Sequence, residues 1–358
     1  MPATAYHQPD SRRSLLPAKA NAPSRFFFPL LFLLLSGCMP KANTLGLPAI
    51  PAQLLANRYL TADGSILPIR QWPPQKNTTI QAVLIAIHGF NDYSNSFQQP
   101  AEFFSQQGIA CYAYDQRGFG STPQRGLWAG TPTYVQDLTL FIRLIRNKHP
   151  HLPIFLLGES MGGAVVIATM AQTPRPDVAG IILSAPAVWA RNTMPWYQQA
   201  LLWSLAHTLP SLTLTGRGLK IQASDNIPML KALSRDPLVI KATRVEALWG
   251  LADLMDIAQQ QAGQLNLPGL LLYGDNDQII PPQPTYQFLS KFLQTRPPKK
   301  SVAFYKNGYH MLLRDINAFI VWQDIFAWIK SPATALPSAA DRYAKQRLDV
   351  DGNPSAKI

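Results

Sequence analysis

Residues 152–163 read Leu-Pro-Ile-Phe-Leu-Leu-Gly-Glu-Ser-Met-Gly-Gly, and this stretch decides the fold of the chain. Its apolar run as far as Leu157 has the length of a strand, and Met161 to Met170 continues as an apolar segment of helix length. Ser160 lies between them in a Gly-x-Ser-x-Gly pentapeptide, a sharp turn that exposes a serine hydroxyl at the carboxyl end of a strand. We predict that Ser160 is a nucleophile; a helix-capping serine is the alternative.

Further apolar runs of strand length occur along the chain and alternate with helical segments. They are Ala82 to Ile87, Ile154 to Leu157, Ile181 to Leu183 and Leu270 to Tyr273. The segment Thr133 to Asn147 carries its apolar residues at helical spacing. Continuous apolar runs are typical of parallel strands that are covered on both faces. The pattern therefore predicts an α/β fold, with a mostly parallel central sheet and helices on both faces.

A serine hydroxyl becomes a good nucleophile when a base takes its proton and a carboxylate orients that base. In this strand–turn–helix setting, the three residues follow along the chain in the order Ser, Asp, His. His310 is the only histidine after residue 262, and it follows Ser301 to Tyr305, a predicted last strand. The strand before that one ends in a segment with two carboxylates. Both Asp275 and Asp277 are therefore candidates for the acid.

The tetrahedral intermediate of such a reaction needs two amide donors that already point at the oxyanion. Met161, which follows the nucleophile, is predicted to supply one N–H. The other donor is predicted to be the N–H of Phe90, in the His88-Gly89-Phe90 loop after the strand Ala82 to Ile87. His88 and Gly89 are predicted to shape this turn, with His88 as a general base the alternative.

The strand pattern stops between residues 186 and 262, where Trp, Tyr and Leu occur on helix-like stretches. We predict a helical cap over 186–262, inserted between a first part of the core at 56–185 and a second part at 263–330. The segment 331–358 is rich in Ala, Pro and charged residues, and is predicted to be a mobile or weakly helical tail.

Two aromatic residues of the cap, Trp196 and Trp203, are predicted mainly to form the cap's own core. A lipid-facing surface is the alternative. It is favoured by four basic residues of the cap, Arg191, Arg217, Lys220 and Lys231.

Four segments resemble the monoacylglycerol lipase and lysophospholipase branch of the α/β-hydrolases. They are residues 88–92 (His-Gly-Phe-Asn-Asp), 115–121 (Asp-Gln-Arg-Gly-Phe-Gly-Ser), the stretch 152–163 and the cap segment 235–238 (Arg-Asp-Pro-Leu). The resemblance extends over roughly Arg58 to Lys330. It implies an α/β-hydrolase fold, a cap over an acyl-binding channel and hydrolysis of single-chain lipid esters.

The same resemblance bears on two site residues. In related hydrolases the acid ends a Gly-x-x-Asp turn that is followed shortly by proline, which here implies Asp277, with Pro281 after it. Asp275 is then a turn-forming residue. Glu159 stands where this branch often has a histidine, a difference that bears on substrate specificity and leaves the three predicted catalytic residues in place.

Residues 1–37 have the pattern of an export signal, with four basic residues before the apolar stretch Phe26 to Leu35. Leu35-Ser36-Gly37-Cys38 resembles the lipobox of bacterial lipoproteins, which implies cleavage before Cys38 and lipidation of its thiol. An ordinary secretory signal with an incidental Cys38 is the alternative. Both the general secretory and the twin-arginine route remain open. Residues 38–55 are predicted to be a linker.

In such lipoproteins an aspartate after the lipidated cysteine retains the protein at the inner membrane, and Met39 is not aspartate. This implies a lipid-anchored protein of the bacterial cell envelope, at the outer membrane. The alternative is a soluble secreted or periplasmic protein.

The composition, with 47% hydrophobic and 15% charged residues, is that of a packed globular protein. The net charge of +12 falls to +9 without the leader, and the basic residues are dispersed. This favours an anionic lipid surface over nucleic acid. The sequence contains no His/Glu zinc signature, no cysteine pair and no phosphate-binding glycine loop, so no cofactor is predicted. Cys111 is predicted to be a buried small apolar residue.

These patterns predict a membrane-anchored serine hydrolase that cleaves carboxylic esters of single-chain lipids, monoacylglycerol or lysophospholipid, through an acyl-enzyme. Its predicted partners are the lipid ester and a membrane surface, contacted through Cys38 and the basic cap. The alternatives are another esterase, an acyltransferase or a peptidase on the same fold, or a non-catalytic lipid-binding lipoprotein. The sequence does not determine the oligomeric state.

Overall fold

A computed structural model describes residues 42, 46–76, 78–216, 218–294, 300–332 and 334–350 of the chain. The predicted leader, Cys38, Met39 and Arg217 lie outside these residues, as does the end of the predicted tail.

The main sheet has nine strands in the described part of the chain, in the order β1-β2-β3-β5-β4-β6-β7-β10-β11. The strands of this sheet are β1 (Gln53–Leu54), β2 (Arg58–Leu60), β3 (Ile66–Trp72), β4 (Ala82–Ile87), β5 (Ile109–Tyr114), β6 (Ile154–Glu159), β7 (Gly180–Ser184), β10 (Gly269–Gly274) and β11 (Lys300–Tyr305). The pairs from β1 to β5 are antiparallel, and all the others are parallel. The predicted, mostly parallel sheet is thus confirmed.

Alternate residues of the central strand β4 face two separate clusters of buried side chains. Val83 and Ile85 belong to one cluster, with Phe141 and Val165 from helices on that face. Ala82, Leu84 and Ala86 belong to the other, with Phe104 and Trp328 from helices on the opposite face. Because both faces are covered, every residue of β4 is buried, which explains its continuous apolar sequence. Helices on both faces are therefore confirmed.

Nine α-helices lie in the described part of the chain. They are α1 (Gln98–Gln106), α2 (Thr131–Lys148), α3 (Met161–Met170), α4 (Trp196–Thr208), α5 (Ile227–Arg235), α6 (Val245–Gln261), α7 (Pro282–Phe292), α8 (Ala318–Lys330) and α9 (Ala340–Val350). None of the helices in the described ranges combines the length and apolar character that a membrane span requires.

The segment between β7 and β10 contains α4, α5 and α6, together with a short antiparallel pair of strands, β8 (Thr213–Thr215) and β9 (Ala242–Arg244). The sequence does not predict this pair, since three-residue strands are too short to give a periodic pattern. Helix α6 packs against α3 and contributes Leu254 and Ala258 to the core.

Helix α4 differs from the prediction that its aromatic residues form the cap's own core. Trp196 is 79% exposed and Trp203 is 49% exposed, so that prediction is wrong for both. Ala206 is the only residue of α4 that is buried. The reason is that α4 packs along one edge against α6, which leaves the rest of its apolar surface uncovered by the described part of the chain.

The end of the chain also differs from the prediction. The sequence predicts a mobile or weakly helical tail from residue 331, whereas α9 packs on the body of the protein, with Ala344 and Leu348 buried in the core. Leu336, Ala340, Ala344 and Leu348 are buried at four-residue spacing, which gives this segment an apolar stripe. Cys111 is buried within β5, as predicted.

Candidate active site

Ser160 occupies the turn between β6 and α3. Its φ of +52° and ψ of −117° lie in a region that residues other than glycine rarely adopt. The neighbouring backbone holds it there, because its N–H donates to the carbonyl of Ser184 (3.0 Å) and its carbonyl accepts the N–H of Ala187 (2.9 Å). Strain of this kind is found at functional sites whose surroundings enforce it. The turn leaves the Ser160 side chain partly exposed at the carboxyl edge of the sheet.

The glycines beside Ser160 are needed because strand and helix approach very closely. A Cβ atom on Gly162 would lie 1.9 Å from the carbonyl oxygen of Ile87, the last residue of β4. A Cβ on Gly158 would lie 2.6 Å from the backbone of Gly163. Any side chain at these positions would push α3 away from β4 and β6, and would displace the turn that carries Ser160.

Asp277 and His310 form a buried pair at the same edge of the sheet. Nδ1 of His310 donates to Oδ2 of Asp277 at 2.8 Å. The other carboxylate oxygen, Oδ1, accepts the backbone N–H groups of Ile279 (2.8 Å) and Ile280 (2.9 Å), which fixes the orientation of the acid. With its proton on Nδ1, the ring has Nε2 free to act as a base.

Strand order explains why Ser160, Asp277 and His310 lie at the same edge of the sheet. Asp277 follows β10 and His310 follows β11, so both lie beyond the carboxyl ends of parallel strands, as Ser160 does after β6. Burial works against the charged form of His310, but the Asp277 carboxylate, its hydrogen bond and the Glu159 charge outweigh that effect and raise the pKa of His310.

Asp275, the other candidate acid, is bonded elsewhere. Its carboxylate accepts the hydroxyl of Tyr343 from α9 at 2.5 Å, and its N–H donates to the carbonyl of Tyr305 at 3.0 Å. The structure therefore joins His310 to Asp277 and connects Asp275 to the tail helix.

The loop after β4 passes directly beside Ser160. A Cβ on Gly89 would lie 3.4 Å from Cβ of Ser160, which places Phe90, the next residue, in the immediate neighbourhood. Met161 is the first residue of α3, where a helix N–H has no acceptor within the helix. Both residues predicted to supply amide donors thus lie close to Ser160.

Both ring nitrogens of His88 form hydrogen bonds with the backbone. Its Nε2 accepts the N–H of Gln116 (2.9 Å), and its Nδ1 donates to the carbonyl of Gly89 (2.8 Å). Burial lowers the pKa of His88, which keeps the ring neutral. Both nitrogens are occupied, so the geometry favours the turn-shaping role over the alternative of a general base.

The sequence did not single out Arg314, which lies four residues after His310. Its Nη2 donates to Oδ2 of Asp92 (2.7 Å) and to Oε2 of Glu159 (3.2 Å). All three side chains are buried. No local sequence signal could have identified this cluster, because its members come from the end of β6 and from two loops that are far apart in sequence.

A cavity of about 300 Å³ lies between α5 and the loop after β4, and Ser160, Asp277 and His310 are not among its lining residues. Its lining surface is mostly apolar, and the charged side chains in it are Asp92, Asp236 and Arg314. Tyr93 donates its hydroxyl to Oδ2 of Asp236 (2.8 Å) across this space. Within the residues that the structure covers, no group of three or more His, Cys, Asp or Glu side chains could hold a metal ion.

Known proteins resemble this chain over most of its length. A monoglyceride lipase of Mus musculus is 28% identical over 286 residues, which cover 78% of this chain and 91% of the relative. A monoacylglycerol lipase of Mycolicibacterium smegmatis is 29% identical over 277 residues, covering 73% and 91%.

Solved structures give the same picture for the fold. The monoacylglycerol lipase of Paleococcus ferrophilus has a TM-score of 0.61 and 25% identity, and the match covers 74% of this chain and 98% of that one. A soluble variant of the monoglyceride lipase of Saccharomyces cerevisiae has a TM-score of 0.65 and 20% identity, with coverage of 83% and 99%.

The family model described as Hydrolase_4 (serine aminopeptidase, S33) matches residues 78–317, which include Ser160, Asp277 and His310. The match and the relatives confirm the resemblance that the sequence motifs carry. The chain belongs to the Hydrolase_4 family, as an α/β-hydrolase of the monoacylglycerol lipase branch of the carboxylic ester hydrolases.

Proposed function

We propose that this protein is a membrane-anchored serine hydrolase that cleaves carboxylic esters of single-chain lipids through an acyl-enzyme. One observation carries the catalytic part. The buried Asp277–His310 pair stands at the sheet edge that also presents Ser160 in a strained, partly exposed turn. A nucleophile, a base and an orienting acid are the groups that acyl transfer through serine requires.

In the proposed reaction, Oγ of Ser160 attacks the ester carbonyl carbon while Nε2 of His310 takes the hydroxyl proton. The C–O bond to the alcohol then breaks, and the imidazolium returns the proton to the departing alcohol oxygen. Water repeats the sequence on the acyl-enzyme, which releases the fatty acid and restores Ser160. Asp277 keeps the Nδ1 tautomer and stabilises the imidazolium.

Negative charge develops on the carbonyl oxygen in both steps. We assign its stabilisation to the N–H groups of Phe90 and Met161, which flank Ser160. Fixed backbone donors of this kind each contribute about 3–4 kcal/mol to transition-state stabilisation in related chemistry.

The relatives support one class of head group. Those of Mus musculus and Mycolicibacterium smegmatis are a monoglyceride lipase and a monoacylglycerol lipase. We therefore propose monoacylglycerol as the preferred substrate over lysophospholipid.

The exposed apolar surface of α4 supports contact with a membrane. Trp196, Tyr197, Leu201 and Trp203 are all exposed, and a patch of this kind marks an interaction surface. Two of the basic residues of the cap, Lys220 and Lys231, are exposed as well. Arg191 is not available, because it pairs with Asp253 and stacks on Trp249.

The anchor is a separate part of the proposal and rests on the lipobox-like sequence before Cys38. A tether would give the enzyme a high effective concentration of membrane-borne substrate. Metabolic labelling with a clickable fatty acid should mark the wild-type protein and not a Cys38→Ala variant. Equal labelling of both would refute lipidation at Cys38, and an unlabelled wild type recovered in the soluble fraction would favour the secreted or periplasmic alternative.

Hydrolysis of a substrate panel tests the enzymatic part. Purified protein should release fatty acid from monoacylglycerols faster than from lysophospholipids with the same acyl chain, and a Ser160→Ala variant should release none from either. Turnover of short water-soluble esters alone would contradict the lipid substrate. Transfer of the acyl group to an added alcohol in preference to water would favour the acyltransferase.

A further inference from the structure

We propose that Glu159, Arg314 and Asp92 form a positioning cluster, which joins the Ser160 turn, the Phe90 loop and the His310 loop and places a negative charge near His310. This inference rests on the proposed function, because it assigns these residues a task in the same reaction. None of the three is proposed to touch substrate through this role. Each acts through its neighbour in sequence or through the imidazole of His310.

A single nitrogen atom carries the contacts of the cluster. Nη2 of Arg314 lies 2.7 Å from Oδ2 of Asp92 and 3.2 Å from Oε2 of Glu159. The three side chains are only 8%, 8% and 3% exposed, in the order Arg314, Asp92 and Glu159. Water therefore screens these charges weakly, and their effect on nearby groups is correspondingly strong.

Each member lies within four residues of a proposed catalytic group in the sequence. Glu159 immediately precedes Ser160, Asp92 lies two residues after Phe90, and Arg314 lies four residues after His310. The carbonyl of Arg314 also accepts Nδ2 of Asn226 (3.0 Å), the residue whose side chain caps helix α5. The guanidinium thus connects the nucleophile turn, the oxyanion loop and the histidine loop, and its backbone reaches the cap.

The charge balance of the cluster gives it a second effect. Two carboxylates face one guanidinium, so the cluster has a net charge of −1 when both acids are ionised. Burial raises the pKa of Glu159, and the Arg314 charge opposes that rise. A fixed negative charge near His310 would stabilise the imidazolium that forms as Ser160 loses its proton.

Three charged groups act on the His310 ring from the elements around it. Asp277, after β10, and Glu159, at the end of β6, both favour the charged form of the ring. Arg314, on the same loop as His310, opposes it. Glu159 is therefore a second carboxylate that acts in the same direction as the triad acid.

The hydrogen bonding of the cluster is incomplete. Oε1 of Glu159 and Nε of Arg314 are buried and have no hydrogen-bond partner among the residues that the structure describes. Buried ion pairs with unsatisfied groups contribute little net stability, since the cost of desolvation is not fully recovered. Stability alone therefore does not account for a glutamate at this position, whereas a charge held against the His310 loop through Arg314 does.

A second arginine cluster in the same protein provides a matched control. Arg117 also faces two carboxylates, Asp63 (2.7 Å) and Asp137 (2.6 Å). Here the guanidinium donates further bonds to Ser65 and Thr61, so all of its nitrogens are used. This cluster fastens the turn between β2 and β3 to α2, and its charges are not among the main causes of the raised pKa of His310.

The test is the pH dependence of hydrolysis in a Glu159→Gln variant of the full chain. Glutamine has the same shape and can still accept from Arg314, so the fold should be retained. We expect the acid limb of kcat to move down by about 0.5–1 pH unit, because the ring loses one favourable charge. We also expect kcat to fall by about 3- to 10-fold with KM unchanged.

Asp63→Asn is the control, because it neutralises one carboxylate of the other cluster. It should lower the melting temperature and leave the acid limb and kcat as in the wild type. A Glu159→Gln variant whose acid limb and kcat match the wild type would overturn the electrostatic role. A shift of the same size in Asp63→Asn would overturn its specificity.

Arg314→Met tests the positioning role. It leaves two buried carboxylates without a cation, so we expect a lower melting temperature and a loss of kcat of more than about 100-fold. The double variant Glu159→Gln with Arg314→Met should regain part of the lost melting temperature, because one unpaired carboxylate is removed. A folded Arg314→Met protein with wild-type kcat would overturn this role. If Arg314→Met does not fold, the double variant provides the kcat comparison.

Failure of this inference is distinguishable from failure of the proposed function. A wild type that hydrolyses no ester and does not react with a serine-directed probe contradicts the function itself. A fully active wild type, with a Glu159→Gln variant of identical pH profile, contradicts only the inference.

Discussion

Helices α3 and α4 are both rich in apolar residues, yet the structure buries them to opposite extents. Every residue of α3 is buried, from Met161 to Met170. In α4, from Trp196 to Thr208, only Ala206 is buried. Apolar composition alone therefore does not determine what a helix packs against; the size of its side chains and its place in the chain do.

Small residues explain how closely α3 packs against the sheet. Gly162, Gly163 and Ala164 let it lie against β4 and β6, and this contact holds the turn at Ser160. Helix α4 carries tryptophan and leucine instead, and Trp196, Leu201 and Trp203 stay exposed. Helix α3 thus supports the Ser160 turn, and α4 is the surface of the proposed membrane contact.

The largest expected effect lies in the buried region beside α3. Asp277→Asn should lower kcat about 10⁴-fold, since the amide no longer holds the His310 tautomer or stabilises the imidazolium. Asp275→Asn is the matched control and should stay within a few-fold of the wild type, because Asp275 bonds to Tyr343 of α9. Steady-state hydrolysis of a monoacylglycerol measures both. A larger loss in Asp275→Asn than in Asp277→Asn would reverse the assignment of the acid.

Packing of α3 gives the next effect. Gly162→Ala places a Cβ 1.9 Å from the carbonyl oxygen of Ile87, so α3 must move, and we expect a loss of about 3 kcal/mol in the free energy of unfolding. Ser204→Ala on exposed α4 should change it by less than about 0.5 kcal/mol. Denaturant titration measures both variants. Equal changes would remove the structural difference between the two helices.

The sequence predicts features formed by neighbouring residues better than contacts between distant ones. The strand before Ser160, the turn and α3 follow one another directly, so a single stretch predicts them. His310 is predictable because it follows the last strand of the sheet. Arg314 and Glu159 are 155 residues apart, and their contact depends on the strand order that places β6 three strands away from β11, the strand before Arg314.

Two further predictions, for the tail and for the cap tryptophans, differ from the structure for simple reasons. The four-residue spacing of Leu336, Ala340, Ala344 and Leu348 is present in the sequence, but the Ala, Pro and charged residues around it hide it. For Trp196 and Trp203, apolar character does not distinguish a cap core from an exposed face. That distinction depends on the packing of α4 against α6.

Changes to the exposed surface of α4 should lower hydrolysis of substrate in a membrane and not of soluble substrate. Trp196→Ser with Trp203→Ser should lower hydrolysis of a monoacylglycerol in anionic vesicles by roughly 3- to 10-fold, because the protein loses apolar contact with the bilayer. Hydrolysis of a short soluble ester should be unchanged. Equal losses on both substrates would show that the tryptophans support the fold or the site and not the membrane contact.

The smallest expected effect concerns the pH at which the activity of the wild type falls to half of its maximum. The structure raises the pKa of His310, and the ring must be neutral to accept the Ser160 proton. Activity should therefore fall as the pH drops through this raised value, with a midpoint above the ordinary histidine pKa of about 6.5. The pH dependence of kcat/KM measures it. A midpoint below about 6 would show that Asp277 and Glu159 do not outweigh burial.

Reaction with a fluorophosphonate probe tests most directly whether the α3 turn carries the nucleophile. The wild type should gain one covalent adduct, seen as a single mass shift, and peptide mapping should place it on Ser160. Ser160→Ala should fold with an unchanged melting temperature and gain no adduct. A folded wild type that stays unlabelled, or a Ser160→Ala variant that labels as fast as the wild type, would contradict the assignment of Ser160.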